Sequence, residues 1–200
     1  SDVCSSDLDP ATIVGAVGLR IPDELRGDKD VRLGFIEGQL SRMLRKGRFR
    51  GKRVVCSVPS AETFVQHMQV AYIPGTDAKE RDDLVKTQLQ AQLGWPPYGM
   101  VIRTYEVANI HRDGENLLEV ICAAMSRDTV MRYVGMVRAC KMEVVGVHSE
   151  INAMLHAFDQ FAEAKQGRTV MYVDIGWAST KVAIGHDGKL AFAQIGRAHV

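Results

Sequence analysis

The sequence predicts an α/β protein, because apolar runs of strand length alternate with segments that have the period of an amphipathic helix. From Phe64 to Val147 the predicted order is strand, helix, strand, strand, helix, strand. That order is typical of a compact α+β unit of split β-α-β type. Further strands and helices flank it, and we therefore expect a small α+β subdomain inserted into a larger α/β domain.

Each predicted element rests on a local pattern of apolar, capping and turn residues. The predicted helices are Val31–Gly47, Asp77–Leu93, Asp128–Cys140 and one that starts at Ser149–Glu150. In the first of them, Ile36, Leu40, Met43 and Leu44 lie on one face, and the second is capped by Thr76 or Asp77. The predicted strands are Ile13–Leu19, Arg53–Val58, Phe64–Ile73, Met100–Ile110, Leu117–Met125, Met142–Val147 and Val170–Ile175. Turns are predicted at Pro74–Gly75, Gly94–Gly99, Arg112–Glu115 and His186–Lys189, and either a turn or a helix start at Ile21–Glu24.

Both ends of the chain look foreign to the protein. Residues 2–8 can be encoded by GAC GTG TGC TCT TCC GAT CTN and residues 195–200 by ATC GGA AGA GCA CAC GTC. These DNA strings are reverse complements over their shared length and match a common sequencing-library adapter. We therefore expect residues 1–8 and 195–200 to be translated adapter, which is excluded from fold reasoning. The natural part is then about residues 9–194 of a longer protein.

Composition excludes several classes of protein. A net charge of +1 gives no global attraction to nucleic acid or membranes. No run approaches the roughly 18 apolar residues of a membrane span. The four cysteines include no Cys-x-x-Cys, and the six histidines show no metal-ligand spacing. We therefore expect buried thiols in a reducing compartment, and neither a zinc site nor a disulfide framework.

The segment from Val170 to Ile184 carries the strongest chemical signal. It predicts a buried strand, a turn with Gly176 and hydroxyl residues, and a second strand. Asp174 is the one acid in the first strand, and a carboxylate there is costly unless it is used. Backbone N–H groups of such a turn can hold a phosphate while the acid holds a hydrated metal ion. The alternative is an ordinary hairpin in which Asp174 caps a turn.

Two motifs in order resemble the actin/Hsp70/FtsA-like ATPase superfamily. They are Asp174-Ile-Gly-x-x-Ser-Thr and, upstream of it, Ser149-Glu-x-x-Ala-x-x-x-Ala-Phe. The wider chain, from about Val31 to Gln194, is similar to PilM-type proteins of type IV pilus assembly. The supporting stretches are Arg53–Ser60, Phe64–Ile73, Leu117–Met125, Met142–Ser149 and the Asp174 loop.

The resemblance implies a specific architecture. It is the first lobe of an actin-like ATPase fold, which is ribonuclease H-like, truncated at both ends and carrying the inserted α+β subdomain. Residues 9–60 and 148–194 would form the actin-like part, and residues 61–147 would form the insertion.

The resemblance also implies roles for individual residues. Asp174 would face the phosphates of ATP and, through water, a magnesium ion. Gly176 would let the backbone approach the phosphates, with the hydroxyls of Ser179 and Thr180 beside them. Lys181 would bind phosphate electrostatically, its alternative being an exposed strand position.

Glu150 would orient the attacking water as a general base. Its alternative is charge complementarity at a helix N-terminus. Trp177 and Lys181 depart from the family pattern, since many relatives have glycine and an acid there. We therefore expect a slow ATPase at most. We also expect no saturable ATP binding by these 200 residues alone, because Ile13–Leu19 lacks the Asp-x-Gly pattern of the superfamily's first phosphate loop and the adenosine-binding glycines would lie beyond Gln194.

Two other features can be explained either by local structure or by contact with a partner. Seven basic residues lie between Arg42 and Arg53 and suggest either an anionic partner or, as we favour, a solvated helix end. The aromatic and proline-rich segment Trp95–Tyr98 suggests either a partner contact or local packing.

The resemblance implies that the protein would be a cytoplasmic scaffold of the type IV pilus assembly platform. It would bind ATP and the N-terminal peptide of a PilN-like inner-membrane protein, and would contact other platform proteins. It would attach to the inner membrane through partners, without a membrane span, and would bind no nucleic acid. The alternatives are a nucleotide-free scaffold of the same fold and an FtsA-like cell-division or secretion-system protein.

Overall fold

The computed structural model describes residues 13, 15–94, 99–159, 167–176 and 179–197. The helices are α1 (Lys29–Lys46), α2 (Ala78–Leu93), α3 (Arg127–Ala139) and α4 (Glu150–Asp159), with short 3-10 helices at Asp23–Leu25 and Ser60–Glu62. The strands are β1 (Arg53–Val58), β2 (Phe64–Ala71), β3 (Met100–Arg112), β4 (Glu115–Ser126), β5 (Glu143–Ser149), β6 (Thr169–Ile175), β7 (Ser179–His186) and β8 (Lys189–Arg197).

The predicted order of elements from β1 onward is confirmed, with shifts of a few residues at the ends. The predicted strand Ile13–Leu19 is wrong, since the described residues in that range have no strand pairing. Trp95–Tyr98 lies outside the described residues. Residues 195–197 continue β8, and the origin of the terminal segments stays a prediction.

The chain divides into two compact units. One unit contains the described residues up to Cys56 together with Arg132–Gly146. Its helix α1 begins behind Asp28, whose carboxylate accepts hydrogen bonds from the N–H groups of Asp30 and Val31. The helix buries Leu33, and β1 pairs with β5 in a two-stranded sheet. The second unit, Ser57–Met131 with Val147–Val200, carries the candidate site.

The first sheet of the second unit is antiparallel, with the strand order β2-β4-β3. Its central strand β4 is buried on both faces, as its continuous apolar run predicts. One face, with Val120 and Cys122, packs on Val85 and Leu89 of α2. The helix begins at the predicted cap, since the Asp77 carboxylate accepts from the N–H of Glu80.

The second sheet is also antiparallel, with the order β6-β7-β8. Helix α4 packs against it through Ile151 and Leu155, which contact Ala183 of β7 and join Ile121 of β4 in one apolar cluster. This packing places the first residue of α4 above the start of β7. Among the described residues, no helix is both long and apolar enough to cross a membrane.

Candidate functional site

A buried ammonium group joins the two acids predicted to be functional. Lys181 Nζ donates to Asp174 Oδ2 at 2.6 Å and to Glu150 Oε1 at 3.0 Å. Lys181 is only 6% exposed, so the predicted alternative of an exposed strand position is wrong. The structure therefore brings three of the predicted site residues into one ionic cluster, which we call the Lys181 centre (Glu150, Asp174 and Lys181).

Strand register and a helix cap position the three side chains. Asp174 and Lys181 are directly opposite each other in the β6–β7 pair, where opposite charges stabilise the sheet. Glu150 is the first residue of α4, and the Ser149 hydroxyl accepts from the N–H of Asn152 at 3.3 Å, as a helix cap does. An acid in the first turn also complements the helix dipole. The alternative interpretation of Glu150 is therefore consistent with its position.

Ser60 contacts the Lys181 centre through Glu150, and sequence reasoning did not single it out as a site residue. Its backbone N–H and its hydroxyl both donate to Glu150 Oε2, at 2.9 and 2.8 Å. Ser60 is buried at the start of the short helix that follows β1 and Pro59. Both carboxylate oxygens of Glu150 thus have donors from the protein itself.

These contacts set the protonation of Glu150 and Lys181. Burial raises the pKa of Glu150, but the hydrogen bonds from Ser60 and Lys181 outweigh burial, and the net pKa lies below its ordinary value. Burial lowers the pKa of Lys181, but hydrogen bonds to Asp174 and Glu150 outweigh it, and the net pKa is raised. Glu150 and Lys181 are therefore both charged at neutral pH, and Glu150 is a weak base.

Gly176 and Ser179, on either side of the turn between β6 and β7, lie close together. The Gly176 N–H donates to the Ser179 carbonyl at 3.0 Å, and a Cβ at position 176 would lie 3.0 Å from that same oxygen. Thr180 is exposed opposite Ile175, on the other face of β7 from Lys181. The structure thus places Gly176 and Ser179 near the Lys181 centre and turns the Thr180 side chain away from it. Trp177 lies outside the described residues.

A groove of about 670 Å³ lies between α4 and β6. Glu150 and Asp174 are part of its lining, and most of the remainder is apolar. The exposed apolar residues of the lining are Phe158, Met171, Val173 and Ile175. Phe158 stacks on Tyr172 with ring centroids 5.8 Å apart. Sequence reasoning missed this groove, because the continuous apolar run from Val170 to Val173 predicts a buried strand, and that prediction is wrong for one face of β6, where Met171, Val173 and Ile175 are exposed.

The Lys181 centre does not fit the magnesium ion that the resemblance implies. Magnesium requires carboxylate or water oxygens at about 2.0–2.1 Å in an octahedral arrangement. Here the carboxylates of Glu150 and Asp174 share the Lys181 ammonium instead. No group of three or more His, Cys, Asp or Glu side chains among the described residues is placed to hold a metal ion.

The basic residues between Arg42 and Arg53 lie in the other unit. All seven, Arg42, Arg45, Lys46, Arg48, Arg50, Lys52 and Arg53, are exposed. Exposure agrees with the interpretation of this stretch as a solvated helix end.

Several solved structures are similar to the chain over most of its length, and the first one described here shows its fold. A structure described as the PilM-PilN type IV pilus biogenesis complex matches with a TM-score of 0.65 and 18% identity, over 83% of this chain and 48% of that one. The cytoplasmic domain of EpsL, an inner-membrane component of the Vibrio cholerae type II secretion system, matches with a TM-score of 0.48 and 12% identity, over 83% and 56%. A Bacteroides thetaiotaomicron protein with an actin-like ATPase fold matches with a TM-score of 0.41 and 12% identity, over 82% and 56%. The chain spans about half the length of these proteins.

The predicted α/β fold class is confirmed, since the chain shares the fold of the solved PilM-PilN complex. No curated protein sequence matches the chain. The family model described as type IV pilus assembly protein PilM matches residues 28–196, which is most of the sequence and includes the whole Lys181 centre. The chain therefore belongs to the PilM family of type IV pilus assembly proteins.

Proposed function

We propose that the protein works in the type IV pilus assembly platform as a scaffold that binds the N-terminal peptide of a PilN-like inner-membrane protein. The observation that carries the proposal is the family match over residues 28–196. The solved relative in complex with PilN supports the choice of partner. Because the chain spans about half of that relative, the binding activity is assigned to the whole protein of which this chain is part.

Attachment to the membrane then follows from the partner. The scaffold stays in the cytoplasm and is held at the inner membrane by the PilN-like protein and other platform proteins. The lack of a membrane-crossing helix among the described residues is compatible with this arrangement.

The nucleotide part of the proposal concerns the turn after β6. ATP phosphates would lie against the backbone at Gly176 and the hydroxyl of Ser179, next to the Lys181 centre. The close approach of Gly176 to the Ser179 carbonyl supports this placement, because it keeps the turn small. Thr180 would contribute through its backbone, since its side chain is exposed on the opposite face.

Hydrolysis would be slow at most. A general base needs a free acceptor within reach of the proton that it takes. Glu150 already accepts three hydrogen bonds, from Lys181 and from the N–H and hydroxyl of Ser60, and its pKa is lowered. The protein would therefore use nucleotide to bias its conformation and partner affinity, with pilus work supplied by separate motors.

A second candidate function is a nucleotide-free scaffold of the same fold. The specific observation that favours it is the Lys181 ammonium, which lies between the two acids where the superfamily resemblance places a hydrated metal ion. The two candidates share the PilN-like partner and differ in whether ATP binds.

The partner proposal is tested by titrating the whole protein with a synthetic N-terminal peptide of a PilN-like protein from the same organism. We expect saturable binding in calorimetry, and none with a peptide of scrambled sequence. Equal heats from the two peptides would refute the partner assignment.

The nucleotide proposal is tested by titrating the whole protein with ATP. We expect saturable binding that Gly176→Val weakens at least tenfold, because the added side chain meets the Ser179 carbonyl. Gly38→Ala is the control, since a Cβ there meets nothing within 4 Å. An absence of ATP binding in the unaltered protein would select the nucleotide-free scaffold.

A further inference from the structure

We infer that the Lys181 ammonium is the built-in cation of this site and that the Lys181 centre takes no divalent metal ion. It concerns the site where ATP is proposed to bind, and its functional consequence rests on that proposed function. Its geometric basis is independent of any nucleotide, because it concerns the contacts of Glu150, Asp174 and Lys181 alone.

The position of the ammonium is the first step. Nζ lies 2.6 Å from Asp174 Oδ2 and 3.0 Å from Glu150 Oε1, and therefore bridges carboxylates from two different elements, β6 and α4. A divalent ion held by the same two oxygens would have to occupy the space that Nζ fills. Metal and ammonium are thus alternatives at this point.

The second step is the use of the remaining acceptor. Glu150 Oε2 accepts from both the backbone N–H and the hydroxyl of Ser60. Metal ligation by this carboxylate would require it to give up hydrogen bonds from charged or buried donors, which would then be left without an acceptor. Water-mediated binding of a hydrated ion would also need these oxygens as acceptors.

The third step is that Lys181 cannot easily leave. It is 6% exposed, and its strand neighbours on the same face, Ala183 and Gly185, are buried against α4. A charged lysine is almost never buried unless it is paired, and both of its partners are in this cluster. Displacement by a metal would bury an unpaired ammonium or force β7 to rearrange.

The charge balance gives the functional consequence. Two carboxylates and one ammonium leave a net charge of −1, whereas the carboxylates alone would carry −2 and attract a divalent ion. An ammonium has three donors, of which Glu150 and Asp174 take one each. The ammonium therefore supplies, between the two acids, the positive charge that a metal ion would otherwise supply.

The test uses Mn²⁺ alone, measured by the loss of its free electron paramagnetic resonance signal on titration into the whole protein. We expect no saturable binding to the unaltered protein or to Lys181→Arg, which keeps the charge. Lys181→Met leaves two facing carboxylates without a cation, and we expect it to bind one Mn²⁺ at least tenfold more tightly. The double variant Lys181→Met with Asp174→Asn should lose that gain.

Two results would overturn the inference. One is saturable Mn²⁺ binding by the unaltered protein that Asp174→Asn abolishes, and the other is a folded Lys181→Met variant that gains no binding. If Lys181→Met does not fold, the comparison of the unaltered protein with Asp174→Asn still decides. Failure of ATP binding would remove the proposed nucleotide function but would leave these metal titrations and their interpretation unchanged.

Discussion

Lys181 faces Asp174 across β6 and β7, with Nζ and Oδ2 2.6 Å apart, and the same ammonium reaches Glu150 at the start of α4. The cluster therefore ties the sheet to the helix by charge, next to the apolar contacts of Leu155 and Ala183. Asp174 and Lys181 come from the two strands of one hairpin, whereas Glu150 lies 31 residues before Lys181, so the full cluster forms only when α4 packs on that hairpin.

Replacing Lys181 with Met should destabilise the unit, because it leaves two facing carboxylates without their shared cation. Removal of one partner of a buried ion pair costs about 3–5 kcal/mol, and partial exposure of the two acids reduces this to about 2 kcal/mol. Urea unfolding measures the change. Lys79→Met, at an exposed position of α2, is the control and should change the free energy of unfolding by less than about 0.5 kcal/mol. Equal effects of the two substitutions would show that the ion pairs contribute nothing.

Replacing Ser60 with Ala removes the hydroxyl that donates to Glu150 Oε2 but keeps the backbone N–H that donates to the same oxygen. We expect a loss of about 1–2 kcal/mol of unfolding free energy, as for a hydrogen bond to a charged group. Ser57→Ala is the matched control, since Ser57 is exposed on β1. A loss at Ser57 as large as that at Ser60 would contradict the assignment.

The parts of the site that follow from local sequence could be predicted, and the parts that depend on register could not. Ser149 and Glu150 mark the start of α4 by capping chemistry, and the Asp174 strand follows from its apolar run. The pairing of Lys181 depends on the β6–β7 register across a turn, and the contact with Ser60 depends on a segment 90 residues earlier. One signal for the close packing of α4 on β7 was present in the sequence. Ala183 and Gly185 lie on the same face of β7 as Lys181, and both are small.

The stability of the protein should decline in acid through Glu150. Its folded pKa lies below its ordinary value of 4.5, so its contribution is complete above pH 4.5 and is lost as pH falls through the folded pKa. The pKa of Lys181 is raised, and its effect on the pH dependence of stability is therefore opposite. Its contribution to stability is complete below pH 10.5 and is lost as pH rises from there through the folded pKa. Urea unfolding of the unaltered protein and Glu150→Gln at neutral pH and below pH 4.5 tests this. The difference in stability between the two proteins should shrink in acid, and a constant difference would contradict the prediction.

Cys122 should be chemically inert in the folded protein. Burial, together with the charge of Asp82, raises the pKa of its thiol to about 12, and its sulfur lies 3.5 Å from that of Met68 inside the first sheet. At mildly alkaline pH the reactive thiolate is therefore scarce and shielded. Alkylation with iodoacetamide, followed by peptide mass spectrometry, should modify the half-buried Cys140 first and Cys122 only as fast as the protein unfolds. Equal rates at the two residues would contradict this.

The close packing of α4 on β7 can be tested at Gly185. A Cβ built there would lie 2.7 Å from Leu155 Cδ1, and Leu155 is almost completely buried. Gly185→Ala should therefore destabilise the protein by about 2 kcal/mol through overpacking, whereas Leu155→Ala alone should cost about 3 kcal/mol through a cavity. Since the smaller side chain at position 155 makes room for the added methyl group, the double variant should cost less than the sum of the two single variants by about 1 kcal/mol.

The control is Gly38→Ala, where the added methyl group meets nothing within 4 Å, and it should stabilise α1 by about 0.5–1 kcal/mol. Additive costs at positions 155 and 185 would mean that the two residues do not share the tight contact that holds Glu150 above Lys181.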